Sequence, residues 1–288
     1  MLDFDFLEPA SVAEASRMVA DLGEDGRVIA GGTALLLAMR QRMLTPSHLV
    51  SVGHLQALRG ITVDGSGWLR IGALCTHAEV AASPLTQARW PMLASMAARV
   101  ANPQVRHQGT IGGNLCYADP ATDPPGCLLA LDAHVVLSSA RGERVLPMAD
   151  FLVDYYTTAL EADELLTEIR VPPLAADAQG LYTRHLRTAA EHRPLASVAL
   201  LVRRQGVACL EARIAIGAST PIPTRVARAE AFLAGKTVTP TVAAEAADIV
   251  AADITPVDDA RGNADYRRHI VAVVARRSLM QLFGLPQE

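Results

Sequence analysis

Two short glycine-rich runs, far apart in the chain, restrict what this sequence can build more than any other feature. The first is Ala30-Gly31-Gly32-Thr33-Ala34-Leu35-Leu36 and the second is Gly109-Thr110-Ile111-Gly112-Gly113-Asn114. Paired glycines beside Thr or Asn let backbone N–H groups come close to a ligand, usually an anion. The first run sits between a short apolar stretch, Arg27-Val28-Ile29-Ala30, and a helical pattern from Thr33 to Arg42. A strand–turn–helix unit of this kind aims free N–H groups and the helix dipole at the loop, an arrangement that suits a phosphate. Taken alone, this first run reads equally well as an ordinary strand–helix turn. It does not match GxGxxG, so a nicotinamide-type dinucleotide fold has no support. Two such loops together imply a ligand with two phosphates, gripped from both sides.

Around these loops the pattern is that of a mixed α and β chain. Ser11 opens a helix with Val12, Ala15, Met18, Val19 and Leu22 at helical spacing and Gly23 as its stop. Strand character follows at Arg27–Ala30 and His48–Val52. Ile61-Thr62-Val63 and Trp68–Gly72, joined through Asp64-Gly65-Ser66-Gly67, read as a hairpin. Thr76-His77-Ala78-Glu79 reads as a capping box opening a helix, and a longer helix is expected over Pro91–Val100. Residues 101–125 show little apolar periodicity, and so long an irregular segment is usually functional. It holds the second glycine run and then Asp119-Pro120-Ala121-Thr122-Asp123-Pro124-Pro125. Carboxylates next to an anion loop make sense as acceptors for sugar hydroxyls. A solvated loop of turn-forming Asp and Pro is the plainer reading.

Strands return at Ala133–Ser138 and Leu165–Val171, and the stretch from Val171 to Gly180 reads as a linker. Beyond it, Leu195–Arg203 and Val207–Ala215 are expected as strands of a second sheet. Helices follow from Thr224 and Thr241, and a last one near Asp265 would place Tyr266, Ile270, Val273 and Val274 on one face. Arg184-His185-Leu186-Arg187 and Glu191-His192-Arg193 read as solvated strand ends, with a surface facing a partner as the alternative.

The formal net charge of -4 argues against nucleic-acid binding. Lys236 is the single lysine, so lysine-based chemistry elsewhere in the chain is excluded. The beginning of the chain lacks the basic region of a signal peptide, and the longest apolar stretch, Leu195–Val202, is too short for a membrane span. A cytoplasmic protein is the expectation. Cys75, Cys116, Cys127 and Cys209 show no CxxC spacing, so no zinc or iron–sulfur site is expected and buried free thiols are. Gly235-Lys236-Thr237 is not a P-loop, because Glu230 stands where its leading glycine belongs. His77-Ala78-Glu79 is not a deaminase motif, since no Pro-Cys-x-x-Cys follows.

Hydrogen bonds to charged groups contribute roughly 1.5–3 kcal/mol each. Four of them give about 6–12 kcal/mol, against an association cost of about 4–15 kcal/mol. The loops alone cannot hold a dinucleotide tightly; a large ring system must be buried as well.

The ordered set of segments resembles a known family, the FAD-binding (medium) subunit of molybdenum hydroxylases, similar to the carbon monoxide dehydrogenase medium subunit and the flavin part of xanthine dehydrogenase. The resemblance runs through Ala30–Leu36, Ile71–Thr76, Gln104–Asn114, Asp119–Pro125, Leu128–Ala133, Leu165–Ile169, Pro221–Arg225 and Asp265–Arg268. It implies an α+β chain: a two-subdomain PCMH-type FAD-binding domain, residues 1–175 with subdomains 1–57 and 58–175, then a C-terminal α/β domain of the CO dehydrogenase flavoprotein type, residues 176–288. It implies non-covalent FAD, with the pyrophosphate on Ala30, Gly31, Gly32, Thr33, Ala34 and Leu35 and on Thr110, Ile111, Gly112, Gly113 and Asn114. Thr76 falls within the matched segments and is carried over as a cofactor-binding position. Asp123 would meet ribose or adenosine hydroxyls, Leu165, Leu166 and Ile169 would lie against the isoalloxazine, and Tyr182 would approach the ring. No catalytic side chain is implied.

The partners implied are a large subunit with the molybdenum cofactor and a small subunit with two [2Fe–2S] clusters, arranged as a dimer of heterotrimers. Electrons would go on to a quinone, oxygen or NAD. The relative that reduces 4-hydroxybenzoyl-CoA carries an inserted iron–sulfur cluster, for which this chain has neither insertion nor clustered cysteines. Two other readings remain: a stand-alone flavin oxidoreductase similar to cell-wall sugar-nucleotide reductases, and a non-enzymatic nucleotide-binding module.

Overall fold

The computed structural model describes residues 2–188 and 190–286. Three sheets follow one another along the chain. A parallel three-stranded sheet has His48–Ser51 at its centre, flanked by Asp5–Leu7 and Gly26–Ile29. The helix Val12–Leu22 covers it, opened by Ser11, whose side chain accepts from the Glu14 N–H, and closed at Gly23. The helix is amphipathic, and Ala15 packs with Val50, Val52 and Leu58. Ser16 on the same helix donates to the Asp163 carbonyl at 2.7 Å and accepts from the Ala140 N–H at 2.9 Å, tying the first subdomain to the second.

The second sheet is antiparallel, in the order Ile61–Val63, Leu69–Gly72, Leu165–Val171, His134–Ser139, Gly142–Pro147. Its central strand brings Ile169 between Ile71 and Val135, all three fully buried. The third sheet pairs Ala178–His185, Ala196–Gln205, Ala208–Gly217 and Thr224–Arg225, also antiparallel. Its faces alternate with the two-residue period of a strand. Ala199 and Leu201 join the core of the second sheet, while Val198, Leu200 and Val202 face the C-terminal helices. Burial on both faces explains why Leu195–Val202 is apolar at every position but Ser197.

Three expectations need correction. Residues 101–125 are not irregular: they contain the short helices Pro103–Gln108 and Ile111–Tyr117, and Pro124–Ala130 begins there. Each is too short to show apolar periodicity, but the caps were legible, with Asn102 and Thr110 accepting from Val105 and Gly113. The linker is shorter than expected, because Ala178–Gly180 already pairs with Leu201–Arg203. On the last helix, Ala264–Leu282, the buried stripe is Arg267, Val271, Val274 and Ser278, while Tyr266 is exposed. Arg267 takes the core position because three carbonyls, of Leu195, Ala218 and Gly262, accept from its guanidinium. Cys75, Cys127 and Cys209 are buried free thiols, and Cys116, exposed as a residue, turns its free thiol inward, where burial raises its pKa.

Trp90 is fully buried at the start of the helix Pro91–Ala97, and its indole N–H donates to the Pro172 carbonyl at 2.9 Å, where the linker begins. Trp90→Ala removes both packing and donor. The expected cost is about 3–5 kcal/mol, read as a lower midpoint in urea unfolding.

Candidate functional site

The two glycine runs meet. A methyl group on Gly31 would lie 2.1 Å from the Gln108 carbonyl oxygen and 3.0 Å from Gly109 Cα, so no side chain fits at this crossing. A methyl on Gly109 would in turn lie 3.2 Å from Thr33 Oγ1. Thr110 also forms a bridge with Thr76: the His77 N–H donates to the Gly109 carbonyl, and the Ile111 N–H to Cys75. Three segments thus converge: the strand–helix turn of the first subdomain, the capping box at Thr76, and the Thr110 loop.

Their N–H groups have different fates. Among the described residues, none of the amides from Gly31 to Leu35 has a protein acceptor. That leaves five consecutive donors in one turn. In the second run the amides of Ile111 and Gly112 donate to Cys75 and Ala73, Gly113 to Thr110 Oγ1, and Asn114 to the Thr110 carbonyl. Gly112 is glycine for packing, since a methyl there would sit 2.6 Å from Ala73 Cβ. What the second loop leaves free is the side chain of Asn114, whose buried Oδ1 has no partner. Buried polar atoms are nearly always paired, so this orphan and the five free donors each mark a place that a ligand can complete.

A cleft of about 640 Å³ opens at this junction. Ala30, Gly31, Thr76 and Thr110 line it, together with Arg59, Glu79 and His107, which sequence reasoning did not select. Thr76 and Glu79 form the expected capping box. Glu79 Oε2 accepts from the Thr76 N–H at 2.6 Å and from its hydroxyl at 2.9 Å. The capping box uses only Oε2 of Glu79 and leaves Oε1 without a donor among the described residues. His77, turned into the protein, is buried and has an unpartnered Nδ1. Burial, helped by the Arg106 charge, pushes its pKa down to about 4, so it is neutral.

The remaining expected residues lie away from the cleft walls. Gly32, Thr33, Ala34 and Leu35 lead into the helix Leu35–Arg40. Leu165 packs in one core with Leu74, which does line the cleft; Leu166 and Ile169 belong to the core of the second sheet. Asp123 and Tyr182 are both buried and bonded to each other, the Tyr182 hydroxyl donating to Asp123 Oδ1 at 2.8 Å. Arg184 donates to Asp123 Oδ2 at 3.2 Å. Burial pushes the Asp123 carboxyl up to about 6, against the lowering effect of Arg184 and Tyr182.

This pair belongs to a larger pattern. Three acids that follow the second loop each meet arginines of the third sheet or the loop after its first strand. Asp119 is 2.5 Å from Arg193, Asp123 pairs with Arg184, and Asp132 lies 2.7 Å from Arg213 and 2.5 Å from Arg225. Arg184 and Arg193, which the sequence offers as solvated strand ends or as groups facing a partner, pair within the chain with Asp123 and Asp119. Among the described residues, no cluster of His, Cys, Asp and Glu could hold a metal ion, and no helix is long and apolar enough to cross a membrane.

Known proteins with this architecture bear on its use. Residues 2–174 match the family model described as the FAD binding domain in molybdopterin dehydrogenase, and residues 182–282 match the CO dehydrogenase flavoprotein C-terminal domain. The chain is 36% identical over 276 residues to the carbon monoxide dehydrogenase medium chain of Hydrogenophaga pseudoflava, covering 96% of each. It is 32% identical to the nicotine 6-hydroxylase medium subunit of Paenarthrobacter nicotinovorans, again covering 96% of each. Among solved structures, a chain of carbon monoxide dehydrogenase from Hydrogenophaga pseudoflava superposes with a TM-score of 0.93 at 37% identity, with 96% of each chain covered. The five free amides fit the diphosphate of such a cofactor, whereas Asn114 Oδ1, an acceptor, fits a donor such as a hydroxyl.

Asp123 gives a test of the buried network. Between the ordinary carboxyl value of 3.8 and about 6, the native state keeps a proton that the unfolded chain has released. Stability therefore falls as pH rises through that window, by about 3 kcal/mol in total. Asp123→Asn is expected to flatten this slope, measured by urea unfolding at a series of pH values.

Proposed function

The chain belongs to the family of FAD-binding domains of molybdopterin dehydrogenases, and on that premise we propose that it is the FAD-carrying subunit of a molybdenum hydroxylase complex. In this reading it takes electrons from [2Fe–2S] clusters on a small partner subunit and passes them to an external acceptor. A large partner subunit carries the molybdenum cofactor and oxidises the substrate. The assembly is a dimer of heterotrimers in the cytoplasm. The observation that carries the reading is the run of free amides from Gly31 to Leu35, packed at Gly31 against the loop that holds Thr110 and Asn114.

The flavin supplies the redox chemistry when bound. The residues of this chain bind and orient it. The free amides of Gly31, Gly32, Thr33, Ala34 and Leu35 would donate to the diphosphate, Gly31 from the cleft lining that it shares with Thr110. Gly112 and Gly113 hold the Thr110 loop in place, Gly112 through its close approach to Ala73. Leu165, behind Leu74, gives the site an apolar floor. The Asp119, Asp123 and Asp132 pairs keep the C-terminal domain seated against the loop, which helps exclude water.

Gly31→Ala drives a methyl into the Gln108 carbonyl and is expected to force the loops apart, at about 1–3 kcal/mol of overpacking strain. Flavin per chain, read from the visible spectrum, falls while the circular dichroism is retained. A mutant that keeps full flavin contradicts the placement of the diphosphate. For the assembly, co-purification from the native host with a visible spectrum and metal analysis is expected to give flavin, iron and molybdenum together. Recovery as a lone, active, metal-free flavoprotein overturns the reading in favour of a stand-alone oxidoreductase, and a colourless protein that binds no flavin favours a nucleotide-binding module.

A further inference from the structure

One side of the first subdomain carries side chains that the chain itself does not use. The helix Leu35–Arg40 ends in two nested hydrogen bonds, the Arg42 N–H donating to the Met39 carbonyl and the Met43 N–H to the Ala38 carbonyl. Such an end needs a left-handed residue at position 42, where glycine is usual because it has no Cβ to strain. Here the residue is arginine, at φ 58°. Its guanidinium returns nothing within the chain: neither Arg42 nor Arg40 makes a side-chain hydrogen bond or ion pair among the described residues. Strain kept without an internal use points to a use outside the chain. The same turn brings Met43 back beside the last turn of the helix, which also carries Leu37, and the two are 70% and 54% exposed. Phe6, opposite Leu49 on the edge strand, faces the same side of the sheet and is 54% exposed. Apolar surface rimmed by charge, with Met, Phe and Arg together, has the composition of a protein–protein interface.

We infer that this face, with Leu37, Met43 and Phe6 as its apolar part and Arg40 and Arg42 at its rim, is the docking surface for the iron–sulfur partner subunit, which meets it with an apolar patch rimmed by acids. The inference rests on the FAD-subunit reading and adds the surface that holds the electron donor. Charge supports an acidic occupant. The chain has a net charge of -4, yet from Gly26 to Val63 it contains no Asp or Glu and carries Arg27, Arg40, Arg42 and Arg59. A second copy of this chain would set the cationic rim against itself in a two-fold contact. Place supports a redox partner. The helix is six residues long, so its far end lies about 9 Å along the axis from the free amides that lead into it. A subunit seated on Met43 therefore stands close to the cofactor those amides hold.

The test uses the complex purified from the native host, and the FAD-loaded full chain recombined with the iron–sulfur subunit recovered from that complex. Arg42→Gly is expected to leave flavin content unchanged and the urea midpoint unchanged or higher, since glycine suits the turn. Affinity for the iron–sulfur subunit should fall roughly ten- to a hundredfold, and Arg40→Gln should act in the same direction. Added salt should weaken the unaltered pair more steeply than the Arg42→Gly pair. A purely structural role for Arg42 would lower the midpoint and leave the affinity alone, so the two readouts separate. In the assembled complex, Met43→Cys carrying a photo-cross-linker should join to the iron–sulfur subunit. Full affinity in both arginine variants, or a cross-link that goes to the large subunit, to a second copy or nowhere, overturns the surface while the FAD-subunit reading stands. A native complex that contains no iron–sulfur subunit overturns that reading itself.

Discussion

The rest of the molecule depends on the contact between Gly31 and the carbonyl of Gln108. Two subdomains with separate sheets are brought together there by backbone alone, at a distance no side chain could occupy. The first sheet delivers the turn from Gly26–Ile29, and the second delivers its partner through the helices that follow Pro91–Ala97. The approach keeps five amides of the first turn away from any protein acceptor while the second loop satisfies its own. One loop is a donor array and the other a wall. That asymmetry could not be read from two runs that look alike in sequence.

Around this contact the domains are locked by different physics. Between the two N-terminal subdomains the joint is largely apolar: Leu74 and Leu165 share a core with Val50 and Leu58. Against the C-terminal domain there is an apolar part, with Tyr182, Ala199 and Leu201 in the core of the second sheet, and a polar part built from acids and arginines. Ion pairs that are partly buried gain little net stability after desolvation, but they penalise any other arrangement strongly. The three aspartates therefore act mainly on register, setting where the third sheet sits relative to the second loop.

Much of this was legible, and for identifiable reasons. Ser11 and Gly23 bound the first helix as their chemistry requires, and the Thr76–Glu79 capping box forms as written. The hairpin around Asp64–Gly67 pairs as expected, with Ile61 opposite Ile71. The short helices between Asn102 and Ala130 were missed because six or seven residues cannot show a 3.6-residue period. Arg184 and Arg193 look like surface charges until the aspartates that meet them are seen, since their partners lie far away in the chain. Arg59, Glu79 and His107 carry no motif, and only the shape of the cleft gathers them.

The sequence by itself determined the local events: which glycines turn, which residues cap, where strands alternate, and the ordered segments that resemble flavin subunits of molybdenum hydroxylases. These depend on neighbours within a few positions, so they are written where they act. Only the tertiary structure decided which of the two glycine loops keeps its donors free, that Asp123 faces Tyr182 and Arg184, and that Glu79 stands beside the loops. Those facts follow from how separate sheets pack. Hydrogen-bond partners and solvent exclusion belong to pairs of surfaces, and neither surface alone specifies the other.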